Sequence, residues 1–178
     1  MTDDRPSTRR LALIVAAVVV AVDAVSKAIA AHYLAGRGIV NLFGGHFHLE
    51  LYRNHAGPGG TFAGDPVLVS LLSLAAVIVI AALVLTVRAR STAVALGLLL
   101  GGGVGNLIDR LVTSPGPLRG GVIDWIKPTL HGGSMNLADL SINAALIVLV
   151  VGGAIEWWLD TRSRRAGPPE PAPSEAAP

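Results

Sequence analysis

A chain of 178 residues that is 52% hydrophobic and only 15% charged is unlike a soluble domain, whose charged share runs at ~25%. Its 14 basic and 12 acidic side chains leave a net charge of +2, its mean hydropathy is +0.59, and it has no cysteine. These figures exclude a disordered chain, a disulfide framework, a thiolate metal site, a cysteine nucleophile and a nucleic-acid binder, and they describe a small integral membrane protein.

Taken in chain order, the first apolar span is predicted over about residues 11–31 and continues through Asp23 and Lys27. An external segment follows over about 32–66, in which Phe43, Phe47, Leu49, Leu51 and Tyr52 alternate with small or polar residues. That pattern predicts one or two short strands with a turn at Gly44-Gly45. Three more spans are predicted over about 67–87, 92–112 and 140–159. Each is near the ~20 residues a helix needs to cross the hydrocarbon core, and helices satisfy their own backbone there. The proline- and alanine-rich stretch 166–178 is predicted to be a disordered cytoplasmic tail. The expected fold is therefore an all-α membrane protein: four transmembrane helices, a small external β-sheet between helices 1 and 2, and a single domain over residues 1–165. A competing reading of the N-terminus also exists. Arg9-Arg10, the apolar run and Ala28-Ile29-Ala30 resemble a cleavable signal peptide, whose removal would discard Asp23 and Lys27.

Basic residues orient the spans. Arg5, Arg9, Arg10, Arg88, Arg90, Arg162, Arg164 and Arg165 fall on one side, against Arg37, Arg53, Arg119 and Lys127 on the other. The bias places both termini in the cytoplasm. In the third span Ala93, Gly97, Gly101 and Gly105 recur every four residues, a small-residue ridge for close helix packing. No phosphate loop is indicated, because no Lys-Ser/Thr follows Gly101-Gly102-Gly103.

With that orientation the polar residues gather at one membrane face. Asp23, Lys27, Asn106, Asp109, Arg110, Asp124, Asn136 and Asp139 all fall at the outer side, and only Glu156 and Asp160 lie near the inner end. Ionisable groups at membrane depth are costly and signal pairing or function. Asp23 and Lys27, four apart, are placed to neutralise each other. Asp109 reads equally as a helix-end brace or as a catalyst, and Arg110 as a partner for a backbone carbonyl or for substrate. Asn136 and Asp139 fit a helix start, one as cap and one in the first turn. Asp124 resists such a reading, because it interrupts the apolar run Gly121-Val122-Ile123-Asp124-Trp125-Ile126. An extended or re-entrant link is expected to bring it near Asp139.

Two carboxylates in a half-desolvated site can share one proton and activate water against a carbonyl, with no metal, cofactor or covalent intermediate. No serine stands in a nucleophile elbow. The histidines (His32, His46, His48, His55 and His131) read as surface residues without a metal-binding pattern.

Five segments together resemble the bacterial lipoprotein signal peptidases, or signal peptidase II, a family of intramembrane aspartyl proteases. They are Asp23-Ala-Val-Ser-Lys27, Arg53-Asn54, Gly101-Gly-Gly-Val-Gly-Asn106-Leu-Ile-Asp109-Arg110, Gly121-Val-Ile-Asp124-Trp-Ile and Met135-Asn136-Leu-Ala-Asp139. The resemblance implies that Asp124 and Asp139 are the catalytic dyad. It implies that Asn54 and Arg110 contact substrate near the scissile bond, with Asn106 and Asn136 beside them, and that Asp23, Lys27 and Asp109 support the site. The implied substrate is a diacylglyceryl-modified prolipoprotein, cut before its lipidated cysteine at the outer face of the bacterial cytoplasmic membrane, with membrane lipids as surroundings.

One stretch departs from the family pattern. Asn54-His-Ala-Gly57-Pro-Gly-Gly60-Thr-Phe62 is three residues longer than usual between Asn and Phe, and richer in Gly and Pro. It keeps open the reading of a catalytically silent relative that binds lipidated segments without cutting them. A small transporter is the other alternative, motivated by Asp23 and Lys27, but it lacks the internal repeat and midplane site of such proteins.

Overall fold

The computed structural model describes residues 5–57 and 64–165. The predicted tail and much of the atypical Asn54–Phe62 stretch lie outside them. Four long helices are present: α1 (Arg5–Leu34), α2 (Pro66–Val84), α3 (Arg90–Val112) and α4 (Leu137–Arg165). All four are long and apolar enough to cross a membrane. They overrun most of the predicted spans because the helices extend past the apolar run into polar ends.

Helix α3 is central. Half of its apolar stretch is buried within the protein, against 22% for α1 and 17% for α2 and α4. The glycine ridge explains the arrangement. A Cβ on Gly97 would lie 2.6 Å from the Ala12 carbonyl oxygen, and one on Gly101 would lie 2.6 Å from Val19 Cβ. On a second face, a Cβ on Gly102 would lie 2.6 Å from the Ala138 carbonyl oxygen. The backbones of α1 and α4 therefore close directly on α3, as small residues permit in lipid. At the far end, Thr8 Oγ1 donates to the Val87 carbonyl (3.1 Å) and ties α1 to the α2–α3 link. Helix α2 begins at Asp65, whose side chain accepts from Leu68 N (3.0 Å), with Pro66 in the first turn. Its remaining large apolar side chains, such as Leu71, Leu72 and Ile78, face outward, as lipid contact requires.

Beyond the ends of α1 and α3 sits a three-stranded antiparallel sheet, ordered β1 (Val40–Leu42), β2 (Phe47–Asn54), β3 (Val122–Lys127). The expectation of a sheet built between the first two helices is thus incomplete, since its third strand comes from the α3–α4 link. Phe43 leaves the strand alternation for a 3-10 turn with Gly44 and Gly45, both at positive φ (68° and 89°). Strand β3 pairs Tyr52 with Asp124 and Asn54 with Val122. It is buried on alternate residues, so Val122, Asp124 and Ile126 share the inward face. Met135 then bridges back to Ile126, with N–H···O distances of 2.8 and 2.9 Å in the two directions. That bridge delivers the start of α4 to the flank of β3.

The histidines need one correction. His48 is buried in β2 and pairs through Nδ1 with Asn41 Oδ1 (2.7 Å), so it serves the sheet. The sequence pattern missed this because strand alternation, which sets its inward direction, holds only once the register is known.

Candidate active site

The polar residues of the sequence converge at the end of the bundle where α1 and α3 finish and α4 begins. The base of the site is a buried ion cluster. Lys27 Nζ lies 2.6 Å from Asp23 Oδ2 and 2.8 Å from Asp109 Oδ2, with both acids on different helices. The second Asp23 oxygen accepts from Ala138 N (3.0 Å), and Asp109 Oδ2 accepts from Ile123 N (3.0 Å). One lysine therefore joins α1 to α3, while its two acids fix the first turn of α4 and the path of β3. Gly105 is required beside it, because a Cβ there would fall 2.7 Å from Asp23 Oδ2. Charges taken out of water hold only when paired and hydrogen-bonded, and here each is.

Above this base, amides connect the cluster to two carboxyl groups. Lys27 also donates to Asn106 Oδ1 (3.1 Å), and Asn106 Nδ2 donates to Asp139 Oδ1 (2.8 Å). Asn136 and Asp139 form a reciprocal cap on α4. Asp139 N donates to Asn136 Oδ1 (2.9 Å) and Asn136 N donates to Asp139 Oδ2 (3.2 Å). With its oxygen used in the cap, the Asn136 amide nitrogen is free to donate to Asp124 Oδ1 (2.7 Å) and to Asn106 Oδ1 (3.1 Å). Asp124 and Asp139 are thus each one hydrogen bond from Asn136.

The remaining Asp124 oxygen accepts from Asn54 Nδ2 (3.2 Å). The Asn54 amide is oriented by its own oxygen, which accepts from Ala56 N and Gly57 N, both at 3.1 Å. The described start of the atypical stretch therefore still presents Asn54 to Asp124. Arg110 lines the same cavity, is 4% exposed, and leaves Nε and Nη1 without a hydrogen-bond partner. Among the described residues, no group of three His, Asp or Glu side chains is placed to hold a metal ion.

The two carboxyl groups are not equivalent. Asp124 is 1% exposed, whereas Asp139 is half-buried. Burial, then the nearby Asp139 charge, push the Asp124 carboxyl up to about 7, against the opposing pull of the Asn54 and Asn136 amides. Both acids line a cavity of about 480 Å³ between α2, α3 and α4, together with Asn106 and Arg110. Its other wall is apolar, formed by residues such as Val77, Ile80, Leu99 and Ile142.

All nine residues singled out by sequence fall in this region, eight in one continuous hydrogen-bonded network and Arg110 on the cavity wall. Sequence reasoning missed Glu50, Lys127 and Ser134, which form a separate polar cluster beside the site. Lys127 Nζ lies 3.1 Å from Glu50 Oε1, and Ser134 Oγ donates to the same oxygen. The available signal was Glu50, an acid within the apolar alternation of β2.

The chain matches the family pattern of signal peptidase (SPase) II over residues 15–155. It is similar to the lipoprotein signal peptidase of Mycobacterium avium (strain 104), at 36% identity over 163 residues that cover 91% of this chain and 89% of the relative. The lipoprotein signal peptidase of Streptomyces coelicolor is 32% identical over 145 residues, or 80% of this chain and 71% of the relative. Among solved structures, one bacterial membrane enzyme superposes with a TM-score of 0.69 at 21% identity, covering 93% of this chain and 94% of that one. A second has a TM-score of 0.66 at 23% identity, covering 79% and 90%. These two carry the fold: four membrane-spanning helices with a small sheet at one end. With the family pattern spanning most of its length and relatives above 30% identity matched over most of theirs, the chain belongs to the signal peptidase II family.

Proposed function

We propose that this membrane peptidase removes signal peptides from prolipoproteins by aspartyl catalysis, with Asp124 and Asp139 as the dyad. The observation that carries it is the pair of carboxyl groups held on one residue, Asn136, whose side-chain amide donates to Asp124 and whose backbone N–H donates to Asp139, in a largely apolar cavity. Asp139, the more exposed of the two, takes a proton from a water molecule as that water attacks the scissile carbonyl. Asp124, whose carboxyl is pushed up to about 7 by burial and the Asp139 charge, donates its proton to the carbonyl oxygen. The product of this step is a neutral gem-diol. Asp139 then returns its proton to the leaving nitrogen while Asp124 recovers one from the diol, so both acids end as they began.

The other residues take supporting roles. Arg110, on the cavity wall with its Nε and Nη1 nitrogens unpaired, holds a substrate carbonyl. Asn54 and Asn106 set the carboxyl orientations, and the Asp23–Lys27–Asp109 cluster fixes the elements that bear them. The apolar wall suits a signal peptide helix and a lipid chain entering from the bilayer. The substrate class this favours is a precursor with a diacylglyceryl-modified cysteine, cut just before that residue. The arginine distribution supports cytoplasmic termini and a site near the outer face of the cytoplasmic membrane.

The test is mass spectrometry of a purified prolipoprotein, with and without its diacylglyceryl group, after incubation with the protein in vesicles. The expected product begins at the lipidated cysteine, and the unmodified precursor stays intact. Binding of the lipidated precursor without a new N-terminus would instead identify a silent relative.

A further inference from the structure

A second cavity, of about 290 Å³, adjoins the catalytic one and shares Asn54, Gly57 and Ser134 with it. Its character differs. Glu50, Tyr52 and Asn54, at alternate positions of β2, line it together with Lys127 of β3. Glu50 and Lys127 form its charged end. Their contact is 3.1 Å, with side chains 19% and 11% exposed, and Lys127 also donates to the Gly132 carbonyl (3.3 Å). Burial at this rim works to raise the Glu50 carboxyl, but hydrogen bonds from Ser134 and Lys127 and the lysine charge outweigh it and hold the group below its usual range. Glu50 is therefore held as a carboxylate beside Lys127. The catalytic network does not use it.

Its position gives it a use. Asn54 donates to Asp124 at one end of the cavity, and Glu50 lies four residues back along the strand. At ~3.3 Å per residue the distance is about 13 Å, room for three to four residues of extended chain. A signal peptide belongs in the apolar cavity between the helices, so the water-soluble part of the precursor leaves the scissile bond on the other side, towards the sheet. We propose that this polar cavity is the subsite for the first residues of the mature chain, and that the Glu50–Lys127 pair reads the charge of the residue seated two to four positions after the cut. An acidic residue there meets Lys127 and is repelled by Glu50, a basic one meets the reverse, and the intact pair balances the two. The inference rests on the peptidase reading above.

The experiment measures kcat/KM for three lipidated precursor peptides that carry Glu, Gln or Lys at the third mature position. It compares wild-type protein with Glu50→Gln, Lys127→Gln and the double variant. Wild type is expected to treat the three alike. Glu50→Gln should shift the Glu-to-Lys ratio by about fivefold towards the acidic peptide, and Lys127→Gln by about fivefold towards the basic one, the scale of a partly exposed charge pair. The double variant should return the ratio to near wild type. Because each enzyme is compared with itself across substrates, a general loss of folded protein cancels from the ratio. An unchanged ratio in all four proteins, or shifts of the same sign in both single variants, would overturn the subsite. Failure of wild type to cut even the Gln peptide would instead overturn the peptidase reading.

Discussion

Asn136 is the residue on which the proposed chemistry is most concentrated. Its backbone and side-chain oxygen cap α4 with Asp139, and its amide nitrogen holds Asp124. Capping contributes ~1 kcal/mol, whereas mispositioning an acid–base pair costs ~10²-fold or more in rate. Asn136→Ala is therefore expected to lower kcat by about 100-fold beyond any fall in thermal stability; a loss of stability with kcat preserved would assign Asn136 to the cap alone. The Asp124 carboxyl sets the pH behaviour. Its folded value, about 7, stands above the ordinary carboxylate value of ~3.9. In the proposed role of general acid it acts when protonated, so kcat/KM is expected to decline as pH rises through about 7. Stability follows the same sign. The contribution is fully present below ~3.9 and is lost as pH rises through about 7, so the unfolding midpoint should drop across that window. A flat activity profile between pH 6 and 8, read at ~0.5-unit steps, would contradict the assignment of Asp124 as acid.

At the scale of elements, α3 carries both the packing surface and part of the site. Gly97 and Gly101 allow α1 to close on it, and Gly105 leaves room for Asp23. Gly101→Val pushes side-chain atoms into Val19 and the Ala16 carbonyl, and overpacking of this kind costs ~1–3 kcal/mol. Its expected result is a lower unfolding midpoint in detergent, together with lost cleavage, because α1 bears Asp23 and Lys27. Asp23→Ala leaves Lys27 with one acid and frees Ala138 N; breaking a buried pair in this way costs ~3–5 kcal/mol. Both effects are read from thermal unfolding of the purified variants. Much of this was legible beforehand. The four apolar runs, the glycine spacing and the charged residues within apolar surroundings are local signals, and membrane burial magnifies each of them. Strand β3 was not legible as a partner of β2, because strand pairing depends on where a distant segment arrives. For the same reason the burial of His48 and the Glu50–Lys127 contact stayed hidden. Asp23 and Lys27 were readable as a pair from their i,i+4 spacing, but the role of Asp109 as a second acid on the same lysine depends on how α1 meets α3.

For the whole molecule, the fold sends all nine candidate site residues to one end of the bundle, and the sheet covers that end. The opposite end carries the Thr8–Val87 tie and the α2–α3 link. The absence of native cysteine makes orientation directly measurable. His46→Cys in the exposed β1–β2 turn and Arg88→Cys in the exposed α2–α3 link mark the two ends. In intact cells a membrane-impermeant thiol reagent should label the first and spare the second; the reverse pattern would place the site at the cytoplasmic face.

The most direct measurement is the cleavage rate of a diacylglyceryl-modified prolipoprotein by wild-type protein, Asp124→Asn and Asp139→Asn in the same vesicles, each checked for thermal unfolding. If the two carboxyl groups share the catalysis, each substitution lowers kcat by at least about 10³-fold while the protein stays folded. Cleavage within about tenfold of wild type by either folded variant would contradict the dyad.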